Sequence, residues 1–139
     1  MKPSVLILCT ANSCRSQMAE GIAKHLYSTT FTIFSAGTHP SIVHPLAIEV
    51  MKEIGIDIST HHSKSVNKFK EHAIDFILTV CGQAEENCPF FPGTAKRIHW
   101  GFEDPAPAKG TKEEILTQFR SVRDAIFQKC KTDWEYTFK

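Results

Sequence analysis

The chain has 139 residues and a formal net charge of +1, and 42% of its residues are hydrophobic. This length is typical of one domain with one core, and we predict a single domain over residues 1–139. The near-neutral charge gives no electrostatic reason to expect a nucleic-acid or membrane partner. No apolar stretch could span a bilayer and no N-terminal signal pattern is visible. We therefore expect a cytoplasmic protein whose five cysteines are thiols rather than a disulfide framework.

In chain order, apolar runs and helical periodicity predict a strand over residues 4–8, a helix over about 15–28, a strand over 31–35, a helix over about 45–54, a short helix over about 65–71, a strand over 74–80, a loop over 81–93, a short strand over 97–99 and a long final helix. Pro45 marks the start of the second helix and Gly55 its end. Thr111 and Glu114 form the sequence pattern of a capping box, and helical apolar positions follow as far as Cys130.

The alternation of strands and helices predicts an α/β protein whose parallel sheet is covered on both faces. With four strands, this is a three-layer α/β/α arrangement around a four-stranded parallel sheet. Ligands bind such sheets at the carboxyl ends of the strands, and Cys9 lies at that end of the first strand.

The segment that joins the first strand to the first helix predicts an oxyanion site. Backbone N–H groups of a tight loop and the positive end of the following helix bind anions, and an arginine can clamp two oxygens. The same positive field favours the thiolate of Cys9, which is the attacking form. The predicted oxyanion-binding residues are Thr10, Ala11, Asn12, Ser13, Cys14 and Arg15. The alternative is a buried cysteine at a strand end beside an unrelated arginine.

Cys81 follows a predicted buried strand directly, so it should lie at the same sheet edge as Cys9. An intact helix would separate Cys81 from Cys88 by roughly 10 Å. A disulfide needs Cα atoms within about 7 Å, so pairing would require this segment to bend or unwind. The two cysteines could equally be unrelated. A zinc site is disfavoured because the spacing is too wide and no Cys/His partner pair is present.

Two further polar residues are candidates for the site. Asp104 precedes Pro105, which restricts it to extended geometry, and its carboxyl group could protonate a leaving oxygen. It could also simply form a turn. Ser16 could donate a hydrogen bond to the Cys9 sulfur or serve only to begin the helix.

Four motifs occur along the chain in this order: residues 9–21, residues 35–37, Cys81 with Cys88, and residues 99–105. Together they resemble the thioredoxin-coupled arsenate reductases, which share the low-molecular-weight tyrosine phosphatase fold. The resemblance runs from about residue 4 to residue 130. The first motif alone would not separate a reductase from a phosphatase.

The resemblance implies a relay of three thiols. Cys9 attacks arsenate held by the loop and Arg15, while Asp104 protonates the departing oxygen. Cys81 then attacks Cys9 and arsenite leaves, and Cys88 attacks Cys81 to form a disulfide that thioredoxin reduces. The electron donor stays open, because glutaredoxin-coupled relatives use glutathione on the same fold. No cofactor is implied, and we expect a monomer.

Two positions depart from the family pattern. Family members usually have glycine where Ala11 stands, so we expect slight strain there if the backbone needs a positive φ. Many relatives bind potassium through residues that match Asn12, Glu20, Ser35 and an aspartate. Lys64 occupies the aspartate position here, so we predict no metal ion and expect Lys64 to fold inward and pair with Glu20. The alternative is that Lys64 points to solvent.

Two other functions remain open from the sequence. The first is a small phosphatase for phosphotyrosine or phosphate esters, with Cys9, Arg15 and Asp104 as its machinery. Phosphatases commonly place tyrosines after the Asp-Pro pair, whereas residues 106–108 here are Ala-Pro-Ala. The second is an oxyanion or redox sensor without turnover.

Overall fold

The computed structural model describes residues 2–81 and 93–138, and strands and helices alternate along them. In chain order the elements are β1 (Ser4–Cys9), α1 (Arg15–Tyr27), β2 (Thr32–Gly37), α2 (Pro45–Glu53), a one-turn 3-10 helix (Val66–Phe69), β3 (Phe76–Thr79), β4 (Lys96–His99) and α3 (Lys112–Thr137). Within these ranges, no helix is both long and apolar enough to cross a membrane.

The four strands form one parallel sheet in the order β2-β1-β3-β4. All residues of β1 are buried, as expected for the central strand of a covered sheet. Leu8 is in register with Ala36 on one side and Thr79 on the other, so Cys9, Gly37 and the residues after β3 meet at one edge. The predicted α/β fold and its four strands are confirmed.

The two faces of the sheet are covered differently. Val5 and Ile7 pack in one apolar cluster with buried residues of α1, α2 and α3. On the opposite face, Leu6, Leu8 and Ile77 pack against Val66 and Phe69 of the 3-10 helix. Among the described residues, the second outer layer is therefore a short 3-10 segment rather than an α-helix.

The ends of several elements differ from the sequence prediction. β2 continues to Gly37 because Ser35, Ala36 and Gly37 pair with the last three residues of β1. The helix predicted over 65–71 is a single 3-10 turn. α3 begins at the predicted capping box but extends beyond Cys130 to Thr137.

An aromatic cluster explains the extra length of α3. Trp134 is fully buried, stacks on Tyr27 of α1 at 5.2 Å between ring centroids, and lies 6.2 Å from Trp100. Phe138 packs against the same two tryptophans. These rings bury apolar surface that stabilises the last two turns of the helix and attaches the segment after β4 to it.

Candidate active site

The loop between β1 and α1 turns its carbonyl groups outward. The Thr10, Ala11 and Ser13 carbonyls accept backbone N–H groups at 2.9, 3.2 and 3.1 Å. These donors all come from the segment after β2: His39, Ser41 and His44. The Asn12 carbonyl, at the centre of the loop, accepts a hydrogen bond from the Ser63 hydroxyl at 2.6 Å. Because these carbonyls are bonded to the surrounding segments, they do not oppose an anion in the space that the loop encloses.

A cavity of about 430 Å³ opens over this loop. Its lining residues come from the loop, from the segment after β2 and from the segment before α3: Cys9, Thr10, Ala11, Ser13, Cys14, Arg15, Ser41, Asp104 and Ala106. The structure thus brings Cys9, Arg15 and Asp104 to one cavity, as predicted.

The predicted contact between Ser16 and Cys9 is present, with 3.0 Å between Oγ and Sγ. The Asn12 side-chain amide donates to the Ser16 oxygen at 2.8 Å. Because that bond occupies an oxygen lone pair, the hydroxyl proton of Ser16 is available to the sulfur. Ser16 is therefore placed to donate a hydrogen bond to the Cys9 sulfur.

Arg15 links the loop to the segment that carries Asp104. Its side chain is only 5% exposed, and one guanidinium nitrogen donates to the Phe102 carbonyl at 3.3 Å. Its Nη2 lies 3.6 Å from Oδ2 of Asp104, whose side chain is 38% exposed. The other Asp104 oxygen accepts the Ala106 N–H at 3.0 Å. The carboxyl group is thus held at the mouth of the cavity above the guanidinium.

The expectation of strain at Ala11 is wrong. Among the described non-glycine residues, only Asn12 has a positive φ, of 50°. Asparagine tolerates this left-handed conformation because its short polar side chain bonds locally. Its amide donates to Ser16 and Ser35, and its oxygen accepts the backbone N–H of Lys64 at 2.9 Å. The left-handed backbone conformation therefore falls on a residue whose side chain forms hydrogen bonds that stabilise it.

Sequence reasoning missed Gln17, which is fully buried on α1. Its amide nitrogen donates to the backbone and side-chain oxygens of Asn12 at 3.2 and 3.0 Å, and to the His62 carbonyl. Its oxygen, which can only accept, lies 3.0 Å from Nδ1 of His61, so that ring nitrogen carries the proton. One sequence signal was available. Gln17 is a polar residue in the first turn of the helix, between Arg15 and Met18, and that turn must face the loop.

Lys64 folds inward, as predicted, and its side chain is 12% exposed. Its ammonium group lies 3.8 Å from Glu20 and donates to the His62 carbonyl at 2.8 Å. Burial opposes ionisation of Glu20, but hydrogen bonds from Lys24 and Ser35 outweigh it and hold the pKa of that carboxyl below its usual value. Burial also opposes ionisation of Lys64 and lowers the pKa of its ammonium group, while the negative charge of Glu20 opposes that shift.

The other cysteines occupy different environments. Cys81 is buried directly after β3, where the Val80 N–H donates to the Leu8 carbonyl, so it lies at the same sheet edge as Cys9 but outside the cavity lining. Burial raises the pKa of the Cys14 thiol to about 12. Cys88 lies outside the described residues.

Across the two described ranges, no cluster of three or more His, Cys, Asp or Glu side chains could hold a metal ion.

Comparisons with known proteins give consistent matches. The profile of the low molecular weight phosphotyrosine protein phosphatases matches residues 4–135. The arsenate reductase of Shouchella clausii is 46% identical over 130 residues, which is 94% of each chain. A solved arsenate reductase in its reduced state has a TM-score of 0.79 and 35% identity over 99% of both chains. A thioredoxin-dependent arsenate reductase of Corynebacterium glutamicum has a TM-score of 0.62 and 26% identity over 94% of this chain and 62% of that one.

Proposed function

Because this chain belongs to the low molecular weight phosphotyrosine protein phosphatase family, and its similar relatives are arsenate reductases, we propose that it is an enzyme that reduces arsenate to arsenite. The observation that carries the proposal is the cavity where the Cys9 sulfur, the Arg15 guanidinium and the Asp104 carboxyl meet above outward-turned loop carbonyls. This set can bind a tetrahedral oxyanion, attack it and protonate a leaving oxygen.

In the first step, arsenate lies against the loop N–H groups and Arg15. The thiolate of Cys9, stabilised by Ser16, attacks arsenic, and Asp104 gives its proton to the oxygen that leaves as water. The product is a covalent arsenic(V)–sulfur adduct on Cys9. The guanidinium and the N–H groups neutralise the oxygens during this step.

In the second step, the thiolate of Cys81 attacks the Cys9 sulfur. The sulfur–arsenic bond breaks, its electron pair stays with arsenic, and arsenite leaves while a Cys9–Cys81 disulfide forms. The thiolate of Cys88 then attacks Cys81, so the oxidation moves to a Cys81–Cys88 disulfide and Cys9 is regenerated. The position of Cys81 at the sheet edge beside Cys9 supports the first of these transfers.

A dithiol must then reduce the Cys81–Cys88 disulfide. We propose thioredoxin, by analogy with the relative from Corynebacterium glutamicum, and glutaredoxin with glutathione is the alternative donor. The proposal places a single-domain monomer in the cytoplasm, where such donors keep thiols reduced.

The test is arsenate-dependent consumption of NADPH with thioredoxin and thioredoxin reductase, compared with glutaredoxin, glutathione and glutathione reductase. Sustained consumption with the first set is expected, and Cys9→Ser should abolish it. Consumption only with the second set would replace the proposed donor. Arsenate binding without NADPH consumption in either donor system would favour an oxyanion sensor and overturn the enzymatic proposal.

A phosphatase is the second candidate, because the matching family is named for that activity and the same cavity could hold a phosphate ester. Ala106 lines the cavity beside Asp104, and the chain has no aromatic side chain at 106–108 to guide a phenyl substrate. Hydrolysis of p-nitrophenyl phosphate should therefore be slow relative to arsenate reduction. The opposite ranking of kcat/KM would favour the phosphatase.

A further inference from the structure

A second cavity, of about 350 Å³, lies behind the catalytic loop. It is lined by residues of α1, β2 and the segment from Thr60 to His72, and shares no lining residue with the first cavity. Its volume is near the lower end of the range for small-molecule sites. A small ligand therefore fits it.

The charges on its walls are unbalanced. Lys24, Lys64 and Lys68 line the cavity together with a single carboxylate, Glu20. Glu20 is already engaged by Lys24 at 2.6 Å, by Lys64 at 3.8 Å and by the Ser35 hydroxyl. Lys68 contributes positive charge that this carboxylate does not compensate. An anion in the cavity would reduce the repulsion among the three ammonium groups.

The pKa of Lys64 is consistent with that repulsion. Burial is the main reason that this pKa is lowered, and the charges of Lys24 and Lys68 act in the same direction. Glu20 opposes the shift but does not cancel it. The neighbouring ammonium groups thus repel the Lys64 charge across this cavity.

Aromatic rings form another wall of the same cavity. Phe34 lies 5.1 Å from Phe69 and 5.8 Å from His72, and Phe69 lies 5.0 Å from His72, measured between ring centroids. All three contribute to the cavity lining, and because Phe69 is only 3% exposed, Phe34 and His72 provide most of the accessible ring surface. Such a wall favours contact with a planar ring of a ligand.

We propose that this cavity binds a small organic phosphate that carries a planar ring, of the nucleoside monophosphate class. The phosphate lies between the ammonium groups of Lys64 and Lys68, and the ring lies against Phe34 and His72. Nothing in this proposal depends on arsenate reduction. The two can fail separately, because the catalytic loop and this cavity have different lining residues.

The test is calorimetric titration with AMP, adenosine and inorganic phosphate. The variant Arg15→Ala removes the anion clamp of the catalytic loop and should leave AMP affinity unchanged within about twofold. Lys68→Glu should weaken AMP binding at least about tenfold, as loss of a charge-assisted contact does. Lys70→Glu, which makes the same charge change outside the cavity lining, is the matched control and should bind like the unsubstituted protein.

On Arg15→Ala, adenosine and inorganic phosphate should each bind at least about tenfold more weakly than AMP. Amide NMR of the unsubstituted protein provides a second measurement that needs no variant, with AMP-dependent shifts expected at Lys64 and Lys68. Loss of AMP binding in Arg15→Ala with retention in Lys68→Glu would assign the ligand to the catalytic loop and overturn the proposal. Equal affinity for phosphate and AMP, or no AMP binding at millimolar concentration, would also overturn it.

Discussion

The two oxygens of Asp104 have different surroundings. Oδ1 accepts the Ala106 N–H at 3.0 Å, and Oδ2 is directed at Arg15 across 3.6 Å. A backbone donor holds Oδ1 in place, and Oδ2 lies on the side of the Arg15 guanidinium, which lines the same cavity. The Ala106 N–H therefore orients the carboxyl group for which we propose the role of acid.

Asp104→Asn should slow the first chemical step by about 10²–10⁴, because the amide keeps the shape but has no transferable proton. The measurement is single-turnover arsenite formation by rapid quench. Glu103→Gln changes a neighbouring acid that does not line the catalytic cavity and should leave the rate unchanged. An unaltered rate in Asp104→Asn would return Asp104 to the role of a turn residue.

The ammonium group of Lys64 is predicted to replace a bound potassium ion next to Glu20. Exchange of sodium for potassium at constant ionic strength should leave the melting temperature and turnover of the unsubstituted protein unchanged. Lys64→Asp should create potassium dependence, because a second carboxylate would join the oxygens of Glu20, Asn12 and Ser35. Lys70→Asp is the control, and potassium activation of the unsubstituted protein would contradict the prediction.

At the scale of elements, β2 shapes the catalytic loop through its last residue. A Cβ atom at Gly37 would lie 2.5 Å from the Thr10 carbonyl oxygen, 2.8 Å from the Cys9 carbonyl oxygen and 2.9 Å from the Asn12 nitrogen. These are backbone atoms and cannot rotate away. Only glycine lets the loop approach β2 this closely.

Gly37→Ala should therefore lower the free energy of unfolding by about 1–3 kcal/mol and weaken phosphate binding at the loop. Denaturant unfolding and calorimetry measure the two effects. Ala11→Gly is the control: it should cost only about 0.4–1 kcal/mol, through the entropy of the unfolded chain, and keep phosphate binding. Normal phosphate affinity in Gly37→Ala would show that the loop can form without this close approach.

The start of α3 depends on a capping box. The Thr111 hydroxyl accepts the Glu114 N–H at 3.1 Å, and the Glu114 carboxylate accepts the Thr111 N–H at 3.1 Å. Thr111→Ala should lower the free energy of unfolding by about 1 kcal/mol in a denaturant titration. Thr117→Ala, an exposed change inside the same helix, should leave stability within about 0.5 kcal/mol. Equal effects of the two changes would argue against the cap.

The sequence pattern predicted the elements well where local chemistry decides them. Apolar runs identified the three buried strands β1, β2 and β3, and the capping box gave the start of α3. The end of α3 was missed because Trp134 and Phe138 are stabilised by contacts with Tyr27 and Trp100, which are remote in sequence. The resemblance drew attention to Ala11 as a possible position of positive φ, whereas the left-handed residue is Asn12, whose side-chain hydrogen bonds are tertiary contacts.

At the scale of the whole molecule, the strand order determines which cysteines meet. β1 and β3 are neighbours, so Cys9 and Cys81 come to one edge although 71 residues separate them in the chain. The motif spacing predicted this meeting through the rule for parallel sheets. It could not reveal Ser63 and His61 as supports of the loop, because those contacts depend on how the segment after α2 folds back onto the loop and α1.

Cys88→Ser should complete about one turnover and accumulate a Cys9–Cys81 disulfide, because the proposed relay then lacks its third thiolate. Peptide mapping by mass spectrometry under non-reducing conditions identifies the disulfide. Cys130→Ser changes a buried cysteine on α3 and should retain turnover. Sustained thioredoxin-linked turnover by Cys88→Ser would rule out the relay.

The neighbouring positions of Trp100 and Trp134 give the molecule an optical property. The chain has two tryptophans, and their rings lie 6.2 Å apart. Indoles at this separation exchange excitation energy, so their emission depends on both distance and orientation. Trp134 is fixed in α3, whereas Trp100 begins the segment that leads to Asp104. A displacement of that segment during a catalytic cycle therefore becomes visible as a fluorescence change in the natural protein, without an attached dye.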